Sequence, residues 1–185
     1  MVCYLLADLL TSGPDSSYLP QEKNLIRNAD LADAATLCAI YNPYVLETCI
    51  SFEEHAVTVQ AMEDRIKKVH DEHLPWLVFE QDGIILGYAY ATPWRVRHAY
   101  RFSVEMSVYV LRGQGKLGIG QRLYQRLLVM LAAADIHTVI AGIALPNPAS
   151  IALHEKIGMQ QVAHFREVGY KFGQWIDVGY WEMQI

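Results

Sequence analysis

The sequence predicts a mixed α/β fold in one domain, residues 24–185. Apolar residues recur at helical spacing in some segments and alternate with a period of two in others, and turn residues separate these segments. The chain of 185 residues is also 52% hydrophobic, which is enough to bury a sizeable core and excludes intrinsic disorder. Helical and strand patterns alternate along the chain without an internal repeat, which favours a mixed rather than an all-α or all-β domain.

The first half of the domain is predicted to contain a short strand, two helices and a hairpin. Residues 25–27 have the composition of a strand. A helix follows Asp30, a residue type that caps helices, and residues 58–72 form a second helix. Residues 75–94 read as a hairpin, because Asp82–Gly83 is a strong turn signal between two β-rich runs.

The second half is predicted to contain a strand, a glycine-rich loop, two helices and three more strands. Residues 102–110 alternate as a strand does, and residues 119–131 carry Leu or Ile every fourth position, as in an amphipathic helix. Residues 137–145 are apolar throughout, which predicts a central strand. A short helix at residues 147–158 ends at a glycine, and residues 161–185 close the chain as two strands.

Charge and composition exclude several classes of function. The formal net charge is −5, so we expect no nucleic-acid partner. No apolar run reaches the roughly 18 residues of a membrane span, so we expect no membrane partner. Cys3, Cys38 and Cys49 have no metal-ligand spacing, and any disulfide would leave one of them unpaired. The sequence therefore predicts reduced thiols, no metal and a cytoplasmic protein.

Residues 1–23 are predicted to be an N-terminal extension. Residues 1–10 are apolar, as in a signal peptide, but no Lys or Arg precedes them and Asp8 interrupts the run. The Gly, Pro and Ser residues that follow predict a linker up to the domain.

The stretch RGQGKLGIG, residues 112–120, contains the pattern G-x-G-x-x-G. A dinucleotide-binding turn belongs to the first strand–helix unit of its domain and needs an acidic residue at the end of the next strand. Here the loop lies in the middle of the domain, and the nearest candidate, Asp135, precedes the next strand. A P-loop is excluded because Leu, rather than Ser or Thr, follows the Gly-Lys pair.

Two readings of this loop remain. Backbone N–H groups of a glycine loop, together with the positive end of the next helix, bind a phosphate or pyrophosphate. Arg112, Lys116 and Arg122 supply positive charge nearby. The alternative is a tight turn between a strand and a helix without a ligand.

Several separated motifs, in order, resemble the GCN5-related N-acetyltransferase (GNAT) superfamily, and within it the phosphinothricin/methionine-sulfone acetyltransferase branch. They are IYNPYV, FEE, GYAYATPWR, AYRFSVEMSVYV, GKLGIG, AGIALPNPASIALHEKIGM and VGYKFGQWIDVGYW. The resemblance implies the GNAT fold, an α/β (α+β) fold with a central mixed, mostly antiparallel twisted sheet flanked by helices. It also implies an enzyme that transfers an acetyl group from acetyl-CoA to a small amino-acid-like amine, of the phosphinothricin, methionine sulfone or sulfoximine type.

The family's pyrophosphate motif, Q/R-x-x-G-x-G/A, resembles residues 115–120, with Gly115 in the place of Gln or Arg. A register that begins at Arg112 puts Leu117 where Gly or Ala is expected. We prefer the register that begins at Gly115 because it keeps the family's usual spacing from the VYV stretch, residues 108–110. The resemblance implies that Asn147 contacts the cofactor. Without the resemblance, an Asn before Pro148 is better explained as a turn residue. The residues that the resemblance assigns to acetyl-CoA are Val108, Tyr109, Val110, Gly115, Lys116, Leu117, Gly118, Ile119, Gly120, Gln121, Asn147 and Ser150. The first three are implied to pair with the pantetheine arm like an added strand.

The resemblance places the general base for direct acetyl transfer at Glu105, on the polar face of the strand before the glycine loop. A carboxyl group that is desolvated beside aromatic rings has a raised pKa, which suits a base. The alternative for Glu105 is a salt bridge with a nearby arginine such as Arg101. His154 occupies the place of a Tyr that many superfamily members use to protonate the leaving thiolate, and its alternative is a packed or solvated side chain.

Substrate binding is assigned to the run WRVRHAYR and to Phe52. Arginine can hold a carboxylate or phosphinate with two hydrogen bonds, and Arg95, Tyr100 and Arg101 resemble the family most closely. The alternative for this run is a solvated charged loop. From the family, the C-terminal strands are also expected to form a homodimer.

Two alternative functions stay open at this point. One is a peptide or protein N-acetyltransferase, which an elongated acidic groove would favour. The other is a non-catalytic acyl-CoA-binding module, against which the presence of Glu105 argues.

Overall fold

A computed structural model of the chain describes residues 24–115 and 117–185. The predicted N-terminal extension, with Cys3, and Lys116 of the glycine loop lie outside these residues. The elements are β1 (Asn24–Asn28), α1 (Ala34–Glu47), α2 (Val59–Asp71), β2 (Trp76–Gln81), β3 (Ile84–Pro93), β4 (Ser103–Val110), α3 (Ile119–Ala133), β5 (Thr138–Leu145), α4 (Pro148–Lys156), β6 (Gln160–Lys171) and β7 (Gln174–Gln184).

The strands form one seven-stranded sheet in the order β1-β2-β3-β4-β5-β7-β6. All neighbours are antiparallel except β4 and β5, which are parallel. The mixed, mostly antiparallel sheet with flanking helices confirms the predicted fold class. The apolar strand β5 lies inside the sheet, between β4 and β7, as its composition predicted.

The two parallel strands are joined over a short length only. Pairing between β4 and β5 runs from Ser103↔Thr138 to Glu105↔Ile140 and then stops. Beyond that point β4 stays paired with β3 as far as Val110, and β5 stays paired with β7 as far as Leu145. The facing edges of β4 and β5 therefore separate after Glu105, and we call the space between them the β4–β5 gap.

Helices cover both faces of β4. The Tyr109 ring contacts Tyr41 and Tyr44 of α1, with ring centroids 4.7 and 5.5 Å apart. On the other face, Gly120 of α3 lies against Val108, since a Cβ on Gly120 would be 3.7 Å from Val108 Cγ2. The predicted apolar face of α3 is buried in this core through Ile119, Leu123, Leu127 and Leu131. The alternation of β4 thus sends consecutive side chains to different helical layers.

Two further features concern the described residues alone. No helix in residues 24–115 and 117–185 is long and apolar enough to cross a membrane. Cys38 and Cys49 are free thiols.

Candidate active site

The glycine loop connects β4 to α3 and is shaped by left-handed backbone. Gly118 caps α3 with φ +71°, and Gly113 has φ +86°, conformations that favour glycine. No atom lies within 4 Å of a Cβ placed on Gly118, so the space above the first turn of α3 is open. The N–H groups of a first helical turn have no intrahelical partner, so this open end presents donors for an anion.

Gly120 has a different reason to be glycine. A Cβ on Gly120 would lie 3.1 Å from Leu153 Cδ2, so the absent side chain lets α3 approach α4 closely. Arg112 is also engaged within the protein, because it forms an ion pair with Glu47 and donates from Nη2 to Pro43 O at 2.8 Å. Arg112 therefore ties the loop to the end of α1.

The strand assigned to the pantetheine arm borders the β4–β5 gap. Val108, Tyr109 and Val110 are all partly buried and belong to the stretch of β4 that has no pairing with β5. Tyr44 donates its hydroxyl hydrogen to Val110 O, which fixes the end of β4 against α1. This unpaired edge can accept an extended ligand as an additional strand.

Glu105 stands where the β4–β5 gap begins and lines a cavity of about 420 Å³. Burial raises the pKa of its carboxyl group, while Arg95 nearby and a hydrogen bond from the Gly142 N–H lower it by less. A Cβ on Gly142 would lie 3.2 Å from Glu105 Oε1, so glycine leaves room for the carboxyl. The salt bridge with Arg101, the alternative for Glu105, is not formed among the described residues.

The walls of this cavity, which we call the Glu105 cavity, are mostly apolar. Its lining residues are Ile50, Phe52, Glu105, Gly142, Ala144, Phe165, Val168, Val178 and Tyr180. Phe52 is 43% exposed, and its ring packs against Gly169 of β6, where a Cβ would lie 2.4 Å from Phe52 Cζ. The structure therefore brings the predicted residues Phe52 and Glu105 to one cavity.

The predicted arginines are placed differently. The Arg95 guanidinium stacks on Trp94 at 3.8 Å and is close enough to Glu105 to affect its pKa. Arg101 lies over Phe102 at 4.1 Å, and Tyr100 is 41% exposed. Arg95 and Arg101 line a second cavity of about 1030 Å³ together with Arg97. Sequence reasoning did not select Arg97, although it belongs to the same basic run.

His154 is buried between α3 and α4, with both ring nitrogens in contact with protein atoms. Nδ1 lies 2.7 Å from Ser150 O, and Nε2 lies 3.1 Å from the Tyr124 hydroxyl. Because a carbonyl can only accept, Nδ1 carries the hydrogen, and Nε2 accepts from Tyr124. Burial lowers the pKa of His154, which keeps the ring neutral.

Tyr124 is fully buried on α3, and burial raises the pKa of its phenol. Sequence reasoning missed it because a Tyr in an apolar helical face looks like a core residue. Asn147, assigned to the cofactor, caps α4 by accepting from the Ser150 N–H at 3.1 Å. Within residues 24–115 and 117–185, no cluster of His, Cys, Asp and Glu could hold a metal ion.

A central gap in the sheet, a glycine loop at its outer end and a desolvated carboxyl at its inner end are the features of a class of acyl-transferring enzymes. Comparison with known proteins agrees, because the acetyltransferase (GNAT) domain matches residues 26–179. The chain therefore belongs to the GNAT acetyltransferase family, and it is an N-acetyltransferase.

Individual relatives support this assignment. The chain is 41% identical over 157 residues to a phosphinothricin N-acetyltransferase from Streptomyces viridochromogenes, covering 85% of each chain. It is 36% identical over 163 residues to an L-methionine sulfoximine/L-methionine sulfone acetyltransferase from Salmonella typhimurium, covering 86% of this chain and 94% of that one. A GNAT superfamily phosphinothricin acetyltransferase from Sinorhizobium meliloti, solved with AcCoA, has a TM-score of 0.83 at 32% identity over 88% of each chain.

Proposed function

We propose that this enzyme acetylates the amine of a small amino-acid-like substrate of the phosphinothricin, methionine sulfone or sulfoximine type, with acetyl-CoA as the donor. The observation that carries the proposal is the position of Glu105, a desolvated carboxyl in a small cavity at the inner end of the β4–β5 gap. The relatives named above act on substrates of this type. A cavity of about 420 Å³ matches the size of a small amine.

The residues present fit acetyl-CoA. The open first turn of α3 at Gly118 can hold the pyrophosphate on backbone N–H groups, and the unpaired edge of β4 can hold the pantetheine arm. The residues proposed to bind acetyl-CoA are Val108 to Val110, Gly115 to Gln121, Asn147 and Ser150. Bound acetyl-CoA supplies the acetyl group as a thioester.

Glu105 acts as the general base in this proposal. An amine is a nucleophile only after it loses a proton, and a carboxylate with a raised pKa accepts that proton more readily near neutral pH. The Gly142 N–H holds the carboxylate, and the mostly apolar walls offer it few other polar partners.

His154 contributes to the proton supply for the leaving thiolate through Tyr124 in this proposal. The neutral His154 ring has no hydrogen on Nε2 and instead accepts from the Tyr124 hydroxyl. The transferable hydrogen of the pair is therefore that of the Tyr124 hydroxyl, which turns from Nε2 to the thiolate to give up its proton and is left as a phenolate.

Substrate selection is assigned to Phe52, Arg95, Tyr100 and Arg101. Arg95 is the arginine whose charge reaches Glu105, so it is the best candidate to hold a carboxylate or phosphinate beside the amine. Phe52 forms a wall of the Glu105 cavity.

A homodimer built on the C-terminal strands and a cytoplasmic location complete the proposal. β6 is an edge strand with exposed apolar side chains, among them Val162, Phe165 and Tyr170, which suits a second copy of the chain. Light scattering on the purified protein tests the dimer, and a monomer across concentrations would contradict it. The free thiols Cys38 and Cys49 are compatible with a reducing compartment.

The test of the proposed function is a thiol-release assay over a panel of amines. We expect turnover with phosphinothricin, methionine sulfone and methionine sulfoximine, and much less with N-terminal peptides. Preferred peptide substrates would favour the protein-acetylating alternative. Binding of acetyl-CoA by calorimetry without turnover of any amine would favour the non-catalytic module.

A further inference from the structure

An irregular segment of β6 forms one side of the Glu105 cavity. In the pairing of β6 with β7, Phe165 is opposite Val178 and Gly169 is opposite Ile176. Residues 166–168 therefore face Asp177 alone, and the strand has a bulge at this point.

The bulge determines where two of the residues that line the Glu105 cavity are placed. Phe165, just before the bulge, and Val168, within it, both line the Glu105 cavity, and the Phe165 ring contacts Tyr180 with centroids 5.6 Å apart. Val178 of β7, which is paired with Phe165 of β6 and with Ala144 of β5, lines the cavity as well. A change in the register of the bulge would therefore move two cavity walls relative to Glu105.

Asp177 holds the bulge with both of its carboxylate oxygens. Oδ1 accepts from the Glu167 N–H at 2.8 Å, and Oδ2 lies 2.6 Å from His164 Nε2. Glu167 itself has φ +52°, a left-handed conformation that a non-glycine residue adopts only when its surroundings hold it there. The Asp177 carboxylate supplies that restraint from the neighbouring strand.

We propose that Asp177 is a positioning residue that determines substrate specificity, because its hydrogen bond to the Glu167 N–H holds the bulge that sets Phe165 and Val168 around the Glu105 cavity. This inference rests on the proposed function, since it concerns the shape of the acceptor pocket. Asp177 itself does not line the cavity, so its effect on the substrate is indirect.

The experiment compares Asp177→Ala, which removes both contacts, with Asp177→Asn, which keeps an acceptor for the Glu167 N–H. Loss of the bond should raise the KM for the amine about fivefold or more, in line with the value of one hydrogen bond to a carboxylate. The KM for acetyl-CoA should not change, and the ratio of kcat/KM values between methionine sulfone and alanine should fall. Asp177→Asn should remain within about threefold of the parent, because the backbone bond persists.

Glu182→Ala removes an exposed carboxylate from the same strand and serves as the matched control, with no expected change. Glu167→Gly should also be close to the parent, because glycine adopts φ +52° without restraint. Equal effects of Asp177→Ala and Asp177→Asn, or equal loss of affinity for amine and acetyl-CoA, would overturn the inference.

Hydrogen exchange of the Glu167 amide gives a second readout that does not need activity. Exchange at this amide should be at least about tenfold faster in Asp177→Ala than in Asp177→Asn. If the parent acetylates no amine, the proposed function fails while this exchange result still tests the role of Asp177. If the parent is active and both the KM and the exchange rate are unchanged in Asp177→Ala, the role of Asp177 fails alone. If Asp177→Ala does not fold, the Glu167 amide of Asp177→Asn must remain protected as in the parent, and faster exchange would overturn the inference.

Discussion

The Tyr124 hydroxyl donates to His154 Nε2 across 3.1 Å, because His154 Nδ1 is already bound to Ser150 O. This contact joins α3 to α4. It also means that the imidazole, to which the resemblance assigns proton donation, accepts at Nε2 and donates from Nδ1 to Ser150 O in the structure.

Replacing Tyr124 with Phe removes the hydroxyl and keeps the buried ring. We expect kcat to fall by about 10²-fold, the lower end of the usual contribution of general acid–base catalysis, with the KM for acetyl-CoA unchanged. Steady-state kinetics measure this effect. A loss of thermal stability without a change in kcat would show that the pair is only structural.

Glu105→Gln tests the general base and its pH dependence. Because burial raises the pKa of Glu105, kcat/KM of the parent should fall as the pH drops through a value above that of an ordinary glutamate. Glu105→Gln should lose this acidic limb and at least about 10²-fold in kcat, with acetyl-CoA binding retained.

The same substitution, which should lower activity, should not lower stability. A raised pKa means that the folded state disfavours the charged carboxylate, so at pH 7 Glu105→Gln should be as stable as the parent or more stable. Urea unfolding measures this, with Glu155→Gln on the exposed face of α4 as the control. Parent-like turnover across the pH range would remove Glu105 from the mechanism.

Gly118 and Gly115 form a matched pair in the glycine loop. Alanine at Gly118 must adopt φ +71° and should cost about 1–2 kcal/mol of stability, or shift the first turn of α3 and raise the KM for acetyl-CoA. Neither glycine has an atom within 4 Å of its Cβ position, and Gly115 does not have a positive φ. Gly115→Ala should therefore leave stability close to that of the parent. Equal effects of the two substitutions on stability would argue against backbone conformation as the reason for Gly118.

Lys171 is a buried cation whose ammonium donates to Val45 O and Ser51 O, each at 2.6 Å. It thereby fixes the segment that carries Phe52 to the end of β6. Lys171→Met leaves two buried carbonyls without their donor and should cost at least about 2 kcal/mol in urea unfolding. The same change at the exposed Lys156 should have little effect. If Lys171→Met leaves the free energy of unfolding unchanged, water replaces the ammonium as the donor to these carbonyls.

The sequence predicted the strand and helix order because periodicity reports which face of an element is buried. Alternation alone put Glu105 and Met106 on opposite faces of β4, and the glycine loop signalled a strand-to-helix turn. Contacts between distant segments left no such signal. The contact of Tyr124 with His154 joins two helices, and Arg101 lies on Phe102, which depends on the folded loop rather than on spacing.

The acceptor pocket is the part that the sequence predicted least. Phe52 was identified through a family motif, whereas Phe165, Val168 and Tyr180 come from strands whose pattern indicated only a closing hairpin. Their role depends on the bulge opposite Asp177, and a bulge changes register without a reliable mark in the residues themselves.

Because pairing between β4 and β5 ends early, a row of backbone N–H and C=O groups has only water as a hydrogen-bond partner until a ligand binds. A ligand whose own amides meet that row would complete the hydrogen bonding of the protein, so recognition and folding stability are linked here. The melting temperature should accordingly climb with donor concentration, and it should climb less for a CoA fragment that lacks amides than for one that has them.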